Sequence, residues 1–67
     1  MNVKLGKKIK ELRKAKNISQ EVLAQYLGIS FQTVRKWENA IAMPDVAVIA
    51  VLASFFGVRL LAHNSSQ

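Results

Sequence analysis

Between Phe31 and Lys36 the chain places an aromatic ring, an amide, a guanidinium and an ammonium group: Phe31, Gln32, Arg35 and Lys36. With no nucleophile or base beside them, these groups are suited to recognition rather than to bond making. The Gln32 amide can donate and accept a hydrogen bond together, which matches a two-point edge such as N6/N7 of adenine. Lys36, one helical turn along the same face, can reach a guanine O6/N7 edge or a phosphate, and Arg35 beside it can reach either. Phe31 lies at the margin of this arc and has two readings. It can touch a thymine C5-methyl group, or fold back onto Val34 and the stem of Glu38 as packing.

Catalytic chemistry finds no such support. The chain has no paired carboxylates, no nucleophile with a base and no phosphate-cradling glycine loop, so no enzyme activity is expected. There are no cysteines, and the lone histidine, His63, stands in a polar tail without a partner ligand, so neither a metal nor a cofactor is expected. The absence of a secretory signal fits a cytoplasmic protein.

The recognising residues need a rigid support, and the pattern around them supplies one. Ser19 can cap a helix in which Leu23 and Leu27 share a face with Ala24 beside them, and Gly28 can take the left-handed backbone that ends it sharply. Ser30 can cap the next helix, over about 30–38. Val34 and Trp37 fall on its packed side, while Phe31, Gln32, Arg35, Lys36 and Asn39 fall on the other. Upstream, Leu5, Ile9 and Leu12 recur at i, i+4 and i+7 and predict an amphipathic helix from Val3 to Ala15, with lysines outside and Arg13 on the shoulder of the apolar stripe. Asn17 is a left-handed stop, and Ile18 a plug into the core. The aromatics Trp37, Tyr26 and Phe56 are spaced as core residues rather than as base-stacking rings.

The series Gln20, Leu23, Ala24, Leu27, Gly28, Ile29, Ser30, Thr33, Val34, Trp37, Glu38 resembles the helix-turn-helix of the phage-repressor-like (Cro/CI, XRE) family of bacterial DNA-binding domains. The resemblance runs from about Leu5 to about Val58. It implies an all-α, compact, lambda-repressor-like domain of four to five helices over residues 1–62, followed by a polar tail at 63–67. It gives Ala24 the place where two helices cross closely, Gly28 the turn, and Leu23, Leu27, Val34 and Trp37 the wedge between them. It also implies an ion pair between Arg13 and Glu38, which makes both structural. Gln20, carried over from the matching family position, is expected to bond a backbone phosphate while bracing Gln32. Read from the helix itself, Thr33 lies towards the packed side and is expected to take a phosphate or a structural role rather than read bases. Ser30 is a phosphate candidate because free amides at the helix starts after Ser19 and Ser30 attract anions.

Charge points the same way. Residues 1–16 hold Lys4, Lys7, Lys8, Lys10, Arg13, Lys14 and Lys16 against Glu11 alone, so this segment carries the whole net charge of +6. Lys10 and Lys14 are candidates for phosphate contacts. The loop from Asn39 to Pro44 departs from the family, which often has glycine and basic or hydroxyl residues there. Here Ala40, Ile41 and Met43 take those places, leaving Asn39 as the phosphate-contacting candidate.

Asp45 can cap a fourth helix, Val46 to about Phe56, which Gly57 can end. Ser54 is its one polar residue, whereas a surface helix keeps a polar face. The run is shorter than the ~20 apolar residues a membrane span needs. Part of it is therefore expected to meet a second subunit, giving a homodimer through helix four and the Val58 to Ala62 segment. No capping residue lies between Val58 and Leu60, so a fifth helix should be short or frayed.

The expected function is sequence-specific binding of double-stranded DNA with a two-fold operator, in a bacterial or phage transcriptional regulator, most simply a repressor. The alternative is an antitoxin-like or adaptor protein whose apolar helix four binds a different protein. A membrane-surface role for the basic helix explains neither the Gly28 turn nor the Ser30 to Glu38 pattern.

Overall fold

The computed structural model describes residues 3–58. They form four helices and no strand: α1 (Val3–Ala15), α2 (Gln20–Leu27), α3 (Phe31–Glu38) and α4 (Val46–Phe56). The expected fifth helix, His63 and the polar tail lie outside the described residues.

The apolar stripe of α1 is buried at Leu5 and Ile9 and half-buried at Leu12, with Lys4, Lys7, Lys8, Lys10 and Lys14 in solvent. Around these side chains the core collects Leu23 and Ala24 from α2, Val34 and Trp37 from α3, and Ile49 and Leu52 from α4. Ile18, Leu27, Ile29, Ala42, Val48, Phe55 and Phe56 close its margins. The core therefore includes every helix, so α2 and α3 are fixed in their angular relation by packing on both neighbours.

Gly6 is buried in the middle of α1, which periodicity did not single out. A β-carbon there would collide with the Trp37 carbonyl oxygen and would lie 3.2 Å from the Trp37 carbonyl carbon and 3.4 Å from that of Glu38. Here α1 crosses the end of α3 so closely that only hydrogen fits.

Two caps are as the sequence indicates. Ser19 accepts from the Val22 amide at 3.0 Å, and Asp45 accepts from the Val48 amide at 2.9 Å. Ser30 is a correction. It has the extended backbone of an N-cap but makes no side-chain cap bond; its hydroxyl instead pairs with that of Thr33 at 3.3 Å. Tyr26 is a second correction, because it is 60% exposed rather than core. It stands outside the Leu23–Leu27 stripe, with its ring laid over Phe55 at 4.2 Å between centroids, while Lys16 approaches the Phe55 ring at 5.5 Å. Phe55 already closes the core at that edge and Tyr26 covers it from outside.

All four helices end in the same way. A left-handed residue stands at each of these ends: Asn17, Gly28, Ala40 and Gly57 have φ of 58°, 72°, 59° and 70°. In each case the next amide reaches back five residues: Ile18 to Arg13, Ile29 to Ala24, Ile41 to Lys36 and Val58 to Ala53. This is the Schellman closure, which satisfies the last carbonyls of a helix. Only Ala40 occupies its left-handed position with a β-carbon and no polar side chain. Left-handed backbone costs an L-residue about 1–2 kcal/mol. Ala40→Gly is therefore expected to stabilise the domain by about 1 kcal/mol, seen as a rise in the urea midpoint. An unchanged or lower midpoint would contradict the strain.

Helix α4 keeps its apolar surplus. Ile49 and Leu52 face the core, but Val46, Ala47, Ala50, Val51 and Ser54 form an exposed row. None of the helices is long and apolar enough to cross a membrane, among the described residues.

Candidate nucleic-acid interface

Helix α3 has two faces with different duties. Val34 and Trp37 are buried, while Gln32, Arg35, Lys36 and Asn39 are exposed. The exposed four, with Ile41 from the following loop, line one hollow of about 210 Å³. Gln32 and Lys36 are one turn apart on this wall, so an amide and an ammonium group point into the same space. Arg35 and Lys36 also stand in the last turn of α3, where cations are favoured by the helix dipole.

Phe31 is separated from that set. It is 37% exposed and borders another hollow, lined also by Glu21, Ala24, Gln25 and Ile29. This puts it on the α2 side of the recognition face. Ser30 and Thr33, joined through their hydroxyls, lie at the start of α3, exposed and half-buried respectively. With one proton spent between them, the pair retains a second O–H that can donate outward.

The far end of α3 is held by a polar knot. Arg13 Nε donates to Glu38 Oε2 at 2.7 Å, Arg13 Nη2 donates to Glu38 Oε1 at 3.0 Å, and Arg13 Nη1 donates to the Ile18 carbonyl at 2.9 Å. The Glu38 side chain is 2% exposed and that of Arg13 10%. This two-point fork is the pairing that the family resemblance implied. The hydrogen bonds that Arg13 donates to Glu38 push the guanidinium pKa above its ordinary value, against the opposing effect of burial. Arg13 therefore stays charged throughout the neutral range.

Gln20 joins the knot, which the sequence did not reveal. Its Nε2 donates to Glu38 Oε1 at 3.1 Å, so Glu38 rather than Gln32 is the group it braces. One amide proton is used there. The second remains free to donate to an acceptor such as a phosphate oxygen. No buried side-chain nitrogen or oxygen lacks a partner among the described residues.

Lys10 and Lys14 continue an i, i+4 row from Gly6, the residue that touches the end of α3. The spacing sets both ammonium groups on the flank of α1 that turns toward α3. Asn39, the C-cap of α3, is exposed and borders the α3 hollow. Among the described residues no group of three or more His, Cys, Asp or Glu could hold a metal ion.

A rigid second helix presenting polar side chains, set by a glycine turn against a capped first helix, defines a helix-turn-helix unit. The helix-turn-helix family profile matches residues 9–62, and the chain belongs to that family, in its XRE branch. Curated relatives agree. The chain is 31% identical over 58 residues to the HTH-type transcriptional activator BcrR of Enterococcus faecalis, covering 87% of this chain and 28% of that protein. It is 36% identical over 53 residues to an SPbeta prophage-derived uncharacterized HTH-type transcriptional regulator, YonR, of Bacillus subtilis, covering 79% of this chain and 49% of that protein. It is 38% identical over 53 residues to an uncharacterized HTH-type transcriptional regulator of Methanocaldococcus jannaschii, covering 79% of this chain and 80% of that protein. The chain thus spans less than half of the first two relatives and most of the third.

Proposed function

We propose that this chain reads double-stranded DNA by sequence and regulates transcription, with α3 in the major groove. The observation that carries the reading is the exposed wall of Gln32, Arg35, Lys36 and Asn39 on a helix whose opposite face is locked by Val34, Trp37 and the Arg13–Glu38 fork. In this reading Gln32, Lys36 and Arg35 address base edges and Phe31 a thymine methyl group. Gln20, Ser30, Thr33, Asn39, Lys10 and Lys14 neutralise or bond phosphates and so set the register. The working unit is residues 1–62, in the cytoplasm, and its simplest effect is repression by blocking a promoter.

The exposed apolar row of α4, Val46, Ala47, Ala50 and Val51, supports a homodimer, which would bring two α3 helices to successive major grooves. The same row favours one second reading, an adaptor that docks α4 on a different protein. Sedimentation of the purified chain separates them. A dimer is expected at micromolar concentration, and a monomer that leaves the row uncovered would favour the adaptor.

The interface is tested with the base-reading side chains removed singly. Gln32→Ala is expected to relax preference at one base pair per half-site, a loss of about 1–3 kcal/mol of discrimination. Lys36→Ala should do the same at a neighbouring pair if it reads a base, or weaken all duplexes alike and lower the salt slope by about 1 per site if it bonds a phosphate. Anisotropy titrations on matched and mismatched duplexes read both. Unchanged affinity and preference in Gln32→Ala would remove α3 from the groove.

A further inference from the structure

Each of the four described helices closes through a Schellman turn whose final residue is apolar: Ile18, Ile29, Ile41 and Val58. That residue ordinarily folds back over its own helix or into the core. Ile18 and Ile29 pack against the core, and Val58 is half-buried. Ile41 breaks the pattern, being 63% exposed. It is not on a loose loop, because its amide donates to the Lys36 carbonyl at 2.8 Å and the left-handed Ala40 before it fixes the direction in which the chain leaves α3.

The place to which Ile41 is turned is the hollow it shares with Gln32, Arg35, Lys36 and Asn39. A single exposed aliphatic side chain needs no explanation. One held rigidly among an amide, a guanidinium and an ammonium group on a base-reading wall has a specific complement. The aliphatic group that the major-groove edges of DNA offer is the C5-methyl of thymine. Resting on the reading of α3 as the groove helix, we propose that Ile41 packs on a thymine methyl group beside the base pairs addressed by Gln32 and Lys36, and so determines sequence at that position.

Deoxyribose carbons are the other apolar surface within DNA, and contact with them is blind to sequence. Replacing thymine by deoxyuridine removes the methyl group and nothing else, which separates the two. The experiment takes a duplex selected by the full chain from a randomised pool and replaces each thymine in turn by deoxyuridine. Affinity is measured for the unaltered chain, Ile41→Ala, Ile41→Val and Phe31→Ala. At one thymine per half-site, deoxyuridine should weaken the unaltered chain about fourfold, the worth of one buried methyl group. The same replacement should change nothing for Ile41→Ala and act in between for Ile41→Val. Phe31→Ala should leave that position's sensitivity intact.

A selected duplex with no such coupled thymine overturns the inference and leaves the groove reading standing. So does an Ile41→Ala loss that is the same on thymine and deoxyuridine duplexes, which assigns Ile41 to the sugar. A pool that yields no preferred duplex overturns the groove reading and the inference together.

Discussion

Gly6→Ala is expected to destabilise the domain by about 3 kcal/mol, seen as a large fall in the urea midpoint, although glycine to alanine inside a helix ordinarily stabilises by about 1 kcal/mol. The sign reverses because the new methyl group would enter the space of the Trp37 carbonyl, with the Trp37 and Glu38 carbonyl carbons at 3.2 and 3.4 Å. All three are backbone atoms, so no rotamer change relieves the contact; α1 must lift from the end of α3. Forcing a methyl group into a packed site costs about 1–3 kcal/mol and occasionally more, and a collision with fixed backbone belongs at the upper end. A domain of this size has on the order of 3–10 kcal/mol in total. Lys7→Ala and Lys8→Ala, at exposed positions next to it, serve as controls and should leave the urea midpoint nearly unchanged. A Gly6→Ala protein more stable than the parent would show that α1 and α3 are not in this close contact.

Breaking the Arg13–Glu38 fork is expected to be comparably severe. Arg13→Ala leaves a carboxylate that is 2% exposed with Gln20 as its remaining side-chain donor. Removing one partner of a buried pair typically costs about 3–5 kcal/mol, because the other charge stays desolvated. Replacing both, as Arg13→Met with Glu38→Leu, removes the penalty together with the pair. The double variant should therefore be more stable than Arg13→Ala, and a double-mutant cycle measured by urea unfolding gives the coupling. Additive losses would mean that the fork contributes nothing beyond its separate side chains. Because the raised Arg13 value lies above its ordinary one, this group's contribution is full below that ordinary value and fades only as pH rises through the raised one. Titration of Arg13 gives stability no slope across the neutral range.

Local signals in the sequence account for most of the architecture. Helical spacing places Val3–Ala15, Gln20–Leu27, Phe31–Glu38 and Val46–Phe56, and the caps Ser19 and Asp45 and the turns at Asn17, Gly28 and Gly57 are written in residue types. The Arg13–Glu38 fork was legible through the family resemblance. What stayed hidden depends on contacts between distant segments. Gly6 looks like an ordinary helix glycine until the α3 carbonyl above it is known. Gln20 reads as a phosphate ligand that braces Gln32, and its bond to Glu38 stays hidden because it spans two helices. Tyr26 reads as core because it stands between Leu23 and Leu27, while its outward place follows from Phe55 filling that edge first. Ser30 has a capping residue's identity and backbone, and a neighbour's hydroxyl takes its side chain. Ala40 reads as a missing glycine, but the strained turn it maintains, and the exposure of Ile41 after it, are properties of the folded chain.

Selection from a pool of randomised duplexes decides whether α3 reads sequence in the major groove. The purified full chain is mixed with the pool at moderate salt, and the retained duplexes are sequenced after several rounds. Enrichment of a two-fold motif with half-sites one helical turn, ~34 Å, apart is expected. Binding that enriches no sequence and collapses as salt is raised would contradict it, leaving the lysines of α1 as a sequence-blind contact with phosphates.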